Sequence, residues 1–180
     1  MPARLHLPLH DQVGFVLVRP HYPENLGACA RALKTMGFYK LSTVRASRLA
    51  APEHAMAFKM SVRAWDVLYA TERHDALEPA LAGADLVLAT SSRSGLSGCL
   101  TVRDAAVLVN DEVGRGRTVR ILFGNEKSGL SSEELDRSDA RLRIPMAGAQ
   151  PSINLAQAVQ LVAYELYVTA LERRRALEQP

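Results

Sequence analysis

The chain is short of cysteine, of lysine and of long apolar runs, and each shortage removes a class of protein. Its two cysteines, Cys29 and Cys99, stand far apart, without a Cys-x-x-Cys pair or a histidine cluster at ligand spacing. A disulfide scaffold and a structural zinc site are therefore excluded, no metal is expected, and both thiols are expected to be free. No apolar run approaches the roughly 20 residues of a membrane span. Met1 to His10 lack the apolar core and small-residue cleavage site of a signal peptide, so a soluble cytoplasmic protein is expected. There is no repeat, no low-complexity linker, no G-x-G-x-x-G and no Walker loop. One domain over 1–180 is expected, and any nucleotide-like ligand must bind by a route other than those two motifs. Only Lys34, Lys40, Lys59 and Lys127 are lysines among 22 basic residues. Arginine binds phosphate as a planar fork and stacks on bases, which is compatible with an RNA partner although the net charge is only +3.

What is present is an alternation of β-branched runs with helical patterns. Strands are predicted at Val13–Val18, Leu41–Val44, Leu86–Thr90, Val119–Phe123 and Leu142–Ile144. Helices are predicted over Asn25–Met36 with Gly37 as its stop, Glu53–Phe58, Arg63–Leu68, Leu77–Leu81, Thr101–Val109, Ser131–Leu135 and Leu155 to about Glu178. This order implies an α/β domain with a mostly parallel sheet flanked by helices. Ligands of such sheets bind beyond the carboxyl ends of the strands. Four of those ends run into polar, Gly- or Pro-containing loops: Arg19 to Asn25, Thr90 to Arg93, Gly124 to Gly129 and Pro145 to Ser152. One composite site built from all four is the expectation.

Three clusters carry the chemistry. In Asn25-Leu26-Gly27-Ala28-Cys29-Ala30-Arg31, Asn25 is suited to cap a helix, and Gly27 shares a face with Arg31, leaving room for a substrate backbone beside the guanidinium. In Phe123-Gly124-Asn125-Glu126-Lys127-Ser128-Gly129, Gly124 admits close approach to a ligand, and Glu126 is either a solvated turn charge or a carboxylate positioning Arg31 or Asn25. Ile144-Pro145-Met146 and then Pro151-Ser152-Ile153-Asn154-Leu155 lead a short strand into a helix start, where Ser152 and Asn154 are either caps or ligand contacts.

In this order the three clusters resemble the motifs of the SPOUT superfamily, SpoU/TrmH branch: Asn25, Gly27 and Arg31, then Phe-Gly-Asn-Glu-x-x-Gly-Leu, then Ile-Pro-Met with Pro-Ser-Ile-Asn-Leu-Ala-Gln-Ala-Val. Val18 to Asn25, Ala89 to Arg93 and Asn154 to Val159 are similar to its TrmJ/LasT group. The resemblance implies a deep C-terminal trefoil knot over about 121–161, S-adenosylmethionine as cofactor, an RNA substrate, foremost tRNA, and a homodimer. It implies methylation of ribose 2′-hydroxyls, on cytidine or uridine at anticodon-loop nucleotide 32. Alternatives are a ribosomal RNA or tRNA wobble-nucleotide methyltransferase of the same branch, a catalytically silent RNA-binding homologue, or a flavodoxin-like binder indifferent to S-adenosylmethionine. By the same resemblance, Thr90, Ser91, Ser92, Gly124, Ile144, Met146, Pro151, Ser152, Ile153 and Leu155 contact the cofactor. Arg31, Asn25, Glu126, Ser152 and Asn154 carry catalysis, with Arg31 held by its neighbours and facing the other subunit's cofactor. An arginine stays protonated, so Arg31 is expected to hold a substrate phosphate and stabilise alkoxide charge, although the family also allows it a part in deprotonation. The chain departs from many relatives in having Ala156 where they have serine; many of the group also carry a C-terminal extension that grips RNA, and with Pro180 following soon after Arg173-Arg174-Arg175 none is expected within 1–180. Its terminal helix is apolar over a wide arc, with Leu161 and Val168 outside the stripe of Leu155, Val159, Val162 and Leu166, so burial on both sides is expected.

Overall fold

A computed structural model describes residues 5–92, 98–147 and 152–178. Seven strands form one sheet: β1 (Val13–Val18), β2 (Leu41–Val44), β3 (Glu72–His74), β4 (Leu86–Thr90), β5 (Leu100–Thr101), β6 (Val119–Phe123) and β7 (Ala140–Arg143). Eight helices accompany them: α1 (Pro8–Gln12), α2 (Pro23–Thr35), α3 (Ala55–Ser61), α4 (Trp65–Tyr69), α5 (Leu77–Leu81), α6 (Val102–Gly114), α7 (Ser132–Leu135) and α8 (Leu155–Glu178). The strand order is β3-β2-β1-β6-β4-β7-β5, and every pairing is parallel.

The pleat divides the core in two. Phe15 and Leu17 of β1, with Ile121 and Phe123 of β6, face a large apolar cluster beneath α1, α2, α3, α4, α6 and α8. Val16 and Val18, with Leu122, face a smaller cluster under α5 and α7. Since successive strand residues point to opposite faces, the unbroken run VGFVLV in β1 feeds both clusters, as expected of a strand covered on both sides. The α/β class and the parallel sheet agree with the sequence reading. Among the described residues no helix is long and apolar enough to cross a membrane, and no group of His, Cys, Asp and Glu is placed to hold a metal.

The differences have local causes. β3 is an edge strand whose Glu72 and Arg73 are exposed, so it carries no apolar alternation, and β5 is only two residues long. β7 lies at 140–143 rather than 142–144: Ala140 and Leu142 pair with β4, and Ile144 is left free to turn toward the strand ends. α2 begins two residues earlier than predicted, with Pro23 at its first position and Tyr22 as N-cap. Proline has no N–H to leave unsatisfied there, so Asn25 is not needed as the cap. Gly37, at φ 88°, stops α2 as predicted. Gly27 does not open a space for substrate. A Cβ there would stand 2.1 Å from the Ala57 carbonyl oxygen, so the glycine exists to seat α3 against α2. Within the single chain α8 is buried on one side only. Leu155, Val159, Val162 and Leu166 are inside, whereas Leu161 and Tyr164 are 41% and 48% exposed.

Candidate active site

β1, β6, β4 and β7 are consecutive neighbours in the sheet, so their four following loops emerge side by side. The loops after β4, β6 and β7 enclose a cavity of about 310 Å³. Thr90, Ser91 and Ser92 form one wall. The turn from Gly124 to Leu130 forms another, and Ile144, Met146, Ser152, Ile153 and Leu155 close it. Every described residue expected from the sequence to contact a cofactor therefore lines one space; Pro151 lies outside the described residues, as does Arg93. A second, more open recess of about 440 Å³ adjoins it, lined by Tyr22, Glu24, Asn25 and Asn154, with Glu126, Ser152, Ile153 and Leu155 common to both.

The walls are rigid for identifiable reasons. Thr90 Oγ1 donates to the Leu122 carbonyl at 3.0 Å, tying the end of β4 to β6, and the Ser91 amide donates to the Leu142 carbonyl at 3.0 Å. The 124–130 turn closes on itself through the Gly129 amide to the Asn125 carbonyl, 2.8 Å. A Cβ on Gly124 would lie 2.3 Å from the backbone of Gly129 and Leu130, so only glycine lets the chain cross itself here. Asn125 fixes the turn from inside: its Oδ1 accepts from the Lys127 and Ser128 amides, and its Nδ2 donates to the Arg19 carbonyl at 2.7 Å.

Arg19 reciprocates. Its backbone is in the left-handed region at φ 54°, a conformation that costs energy for a non-glycine residue and persists only where surroundings hold it. The guanidinium spans both oxygens of Glu134, at 3.0 and 2.7 Å, and the Gly129 carbonyl at 3.1 Å. Glu134 is buried and also closes a capping box with Ser131 at the start of α7. Burial pushes its carboxyl upward, but hydrogen bonds from Arg19 and the Ser131 amide outweigh that and hold it below the usual carboxylate range. Nothing local in the sequence marks Arg19, Asn125 or Glu134 for these roles, because the pairing partners lie more than a hundred residues apart.

At the boundary of the two spaces three side chains form a chain whose hydrogen-bond directions leave no ambiguity. Glu126 accepts from the His21 amide at 3.0 Å, the Tyr22 amide at 3.2 Å and Asn25 Nδ2 at 2.9 Å. Asn25 Oδ1 accepts from Asn154 Nδ2 at 2.9 Å. Asn154 Oδ1 accepts from the Ala156 and Gln157 amides at 2.9 and 3.3 Å and so caps α8. The carboxylate can only accept and the helix amides can only donate, so both asparagine amides have one orientation. Glu126 thus positions Asn25, one of its two expected partners, but not Arg31. Arg31 is exposed on the outer face of α2 and lines neither space. Its guanidinium has no hydrogen bond or ion pair among the described residues, so Asn25, Glu126 and Asn154 do not hold it in the single chain. Behind the site, Cys29 is fully buried, and burial, with a smaller contribution from the Glu126 charge, pushes its thiol far up.

The arrangement can bind an elongated ligand with an apolar body along Ile144, Met146, Ile153 and Leu155 and present its reactive end toward Asn25 and Ser152. Residues 12–164 match the SpoU rRNA methylase family. The tRNA (cytidine/uridine-2′-O-)-methyltransferase TrmJ of Pectobacterium atrosepticum is 36% identical over 168 residues, covering 92% of this chain and 68% of its own length. The chain thus spans about two thirds of the length of that curated relative. Among solved structures, a probable methyltransferase from Bordetella pertussis superposes with a TM-score of 0.83 at 33% identity, covering 88% of this chain and 96% of that one. TrmJ from Z. mobilis superposes with a TM-score of 0.78 at 30% identity, covering 86% and 68%. The motifs, the parallel sheet and these likenesses converge: the chain belongs to the SpoU rRNA methylase family.

Proposed function

We propose that this chain is an S-adenosylmethionine-dependent RNA 2′-O-methyltransferase that acts on tRNA in the cytoplasm as a homodimer, with the pyrimidine at anticodon-loop nucleotide 32 as its target. The observation that carries the reading is the shared wall between the two spaces, where the chain Asn154–Asn25–Glu126 separates a walled apolar cavity from an open polar recess. The cavity suits the cofactor. Its volume falls at the lower end of the roughly 300–1,000 Å³ typical of ligand sites, and it combines an apolar lining with hydroxyls at Thr90, Ser91 and Ser152. S-adenosylmethionine supplies an electrophilic methyl group, which passes from sulfur to the ribose oxygen as the hydroxyl loses its proton.

The protein's part is placement. Positioning of two reactants contributes up to about 7–11 kcal/mol to such a reaction. Asn25 and Ser152 stand where the open recess meets the cavity and orient the ribose. Glu126 is an anchor rather than a proton acceptor, because its oxygens are already engaged by two backbone amides and Asn25. Arg31 contributes across a pair of subunits. It shares the outer face of α2 with Ala28 and Thr35, and α8, which packs against α2, exposes Leu161 and Tyr164. Two copies joined through this face cover both apolar side chains and bring the guanidinium of one to the recess of the other, where it holds a phosphate and stabilises charge on the attacking oxygen. A trefoil knot over about 121–161 is part of the same reading. In its favour, β7 lies beyond β4 from β6, while α8 returns to pack with α2 and α6.

Transfer of labelled methyl groups to unmodified tRNA transcripts, followed by mapping of 2′-O-methyl positions, tests the reading. The expected product carries the group at nucleotide 32. Modification at the wobble nucleotide or in ribosomal RNA selects one of the alternatives, and no transfer to any RNA refutes the enzyme. Arg31→Ala is expected to abolish transfer while cofactor binding persists.

A further inference from the structure

The outer surface of α3 and α4 is unusual for a chain with so few aromatic residues. Phe58 and Trp65 are 43% and 45% exposed and stacked on one another, with ring centroids 5.2 Å apart and planes 10° from parallel. Tyr69 lies one helical turn beyond Trp65 and is more exposed still. An exposed apolar patch of this kind generally marks a contact surface. Its charge says what it contacts. The nearby carboxylates are occupied: Asp66 pairs with Lys34 at 2.6 Å, and Glu53 pairs with Arg73. Lys59 and Arg63, which lie between Phe58 and Trp65 in sequence, have no ion-pair partner among the described residues. Nor does Arg48, on the loop that Ser47 fastens to His21 at the rim of the recess. The patch is therefore both aromatic and uncompensated in positive charge. Aromatic rings and arginines also serve protein interfaces, but rings interleaved with cations that no carboxylate neutralises are the usual equipment for unpaired nucleotides.

We propose that the α3–α4 face is a docking surface for unpaired nucleotides of the RNA substrate, with bases stacking on Phe58, Trp65 and Tyr69 and phosphates on Lys59, Arg63 and Arg48. The proposal rests on the RNA methyltransferase reading given above. The distance fits. α3 is seated directly on α2 at Gly27, two residues after Asn25, and Asp66 of α4 pairs with Lys34, nine residues after Asn25, so the patch runs from beside the recess to roughly 14 Å along α2. A loop whose target ribose enters that recess passes over this face, which also gives the enzyme a means of selecting single-stranded over duplex RNA.

Trp65 is the only tryptophan in the chain, so its fluorescence reports this surface alone. Titration with an unmodified tRNA transcript is expected to quench it saturably, and an equally long blunt RNA duplex is expected not to. Phe58→Ala and Trp65→Ala should each raise KM for tRNA about tenfold, a size typical of lost base stacking, with kcat at saturating tRNA and affinity for S-adenosylmethionine retained. Replacing both Lys59 and Arg63 by Gln should flatten the dependence of log Kd on log salt by roughly 1.4. If tRNA binds and is methylated while Trp65 stays silent and KM is unmoved, the docking surface is refuted and the enzyme stands. If Trp65→Ala instead converts a dimer to monomers in sedimentation, the face is a self-interface and the proposal falls. If no RNA binds at all, both readings fall together.

Discussion

Asn154 does two jobs with two atoms, and Asn154→Asp separates them. Its Oδ1 caps α8 by accepting from Ala156 and Gln157, and its Nδ2 donates to Asn25. Aspartate keeps the cap and adds a negative charge at a helix N-terminus, worth about 0.3–1 kcal/mol. It also replaces the donor with an oxygen, so that two acceptors face each other where a 2.9 Å hydrogen bond had been. Asn25 cannot answer by flipping its amide, since that would turn its carbonyl on Glu126. The contact is solvent-exposed, and a lost exposed hydrogen bond costs about 1 kcal/mol. The two changes nearly cancel in stability, and the melting temperature is expected to stay within about 3 °C of the parent. Activity should not survive as well: displacement of a positioning group by about 1 Å can cost on the order of 100-fold, so kcat/KM is expected to fall at least tenfold. Asn154→Ala is the control. It loses both the cap and the hydrogen bond to Asn25, about 1 kcal/mol each, and should melt about 4–8 °C lower. Methyl transfer to tRNA and thermal melting of the three proteins check this. Parental kcat/KM in Asn154→Asp, or a melting point as low as that of Asn154→Ala, would refute the reasoning.

Three further outcomes follow from the packing. Gly124→Ala places a Cβ 2.3 Å from the Gly129–Leu130 backbone, so the turn must open; calorimetric titration should show affinity for S-adenosylmethionine weakened about tenfold or more, in line with the roughly 1–3 kcal/mol of overpacking. Glu134 has a folded pKa below its ordinary value. Its contribution is therefore complete at neutral pH and disappears as pH falls through the folded value, so urea midpoints measured from about pH 7 to about pH 3 should drop less steeply in Glu134→Gln. Cys29, fully buried with its thiol pushed far up, should resist iodoacetamide in the native protein, while the partly exposed Cys99 reacts; two labelled thiols without unfolding would contradict the packing around α2.

The strands that build the site were legible because they are buried on both faces. β1 is apolar throughout, β4 and β6 are apolar apart from Thr90 and Arg120, and the bounds of all three were read without error. β3, with two exposed charged residues, carried no such signal. The cavity-lining residues were legible through motif resemblance, since glycine, proline and hydroxyl residues recur at strand ends. The clamp of Arg19 on Glu134 and the turn inside Asn125 were not, because each depends on partners brought together only when β6 is placed beside β1.

By itself, then, the order of residues determined the α/β class, the strands β1, β2, β4 and β6, the loops that line the cavity and the family, all of which follow from local periodicity and short motifs. Tertiary structure decided which of the marked side chains act together. It joined Asn25 to Glu126 and Asn154, spent Gly27 on the α2–α3 contact, and left Arg31 outside both spaces on an open helix face. The physical reason is that a hydrogen bond or a Cβ clash is fixed by distances of a few ångströms between residues far apart in the chain, and no local pattern encodes those distances.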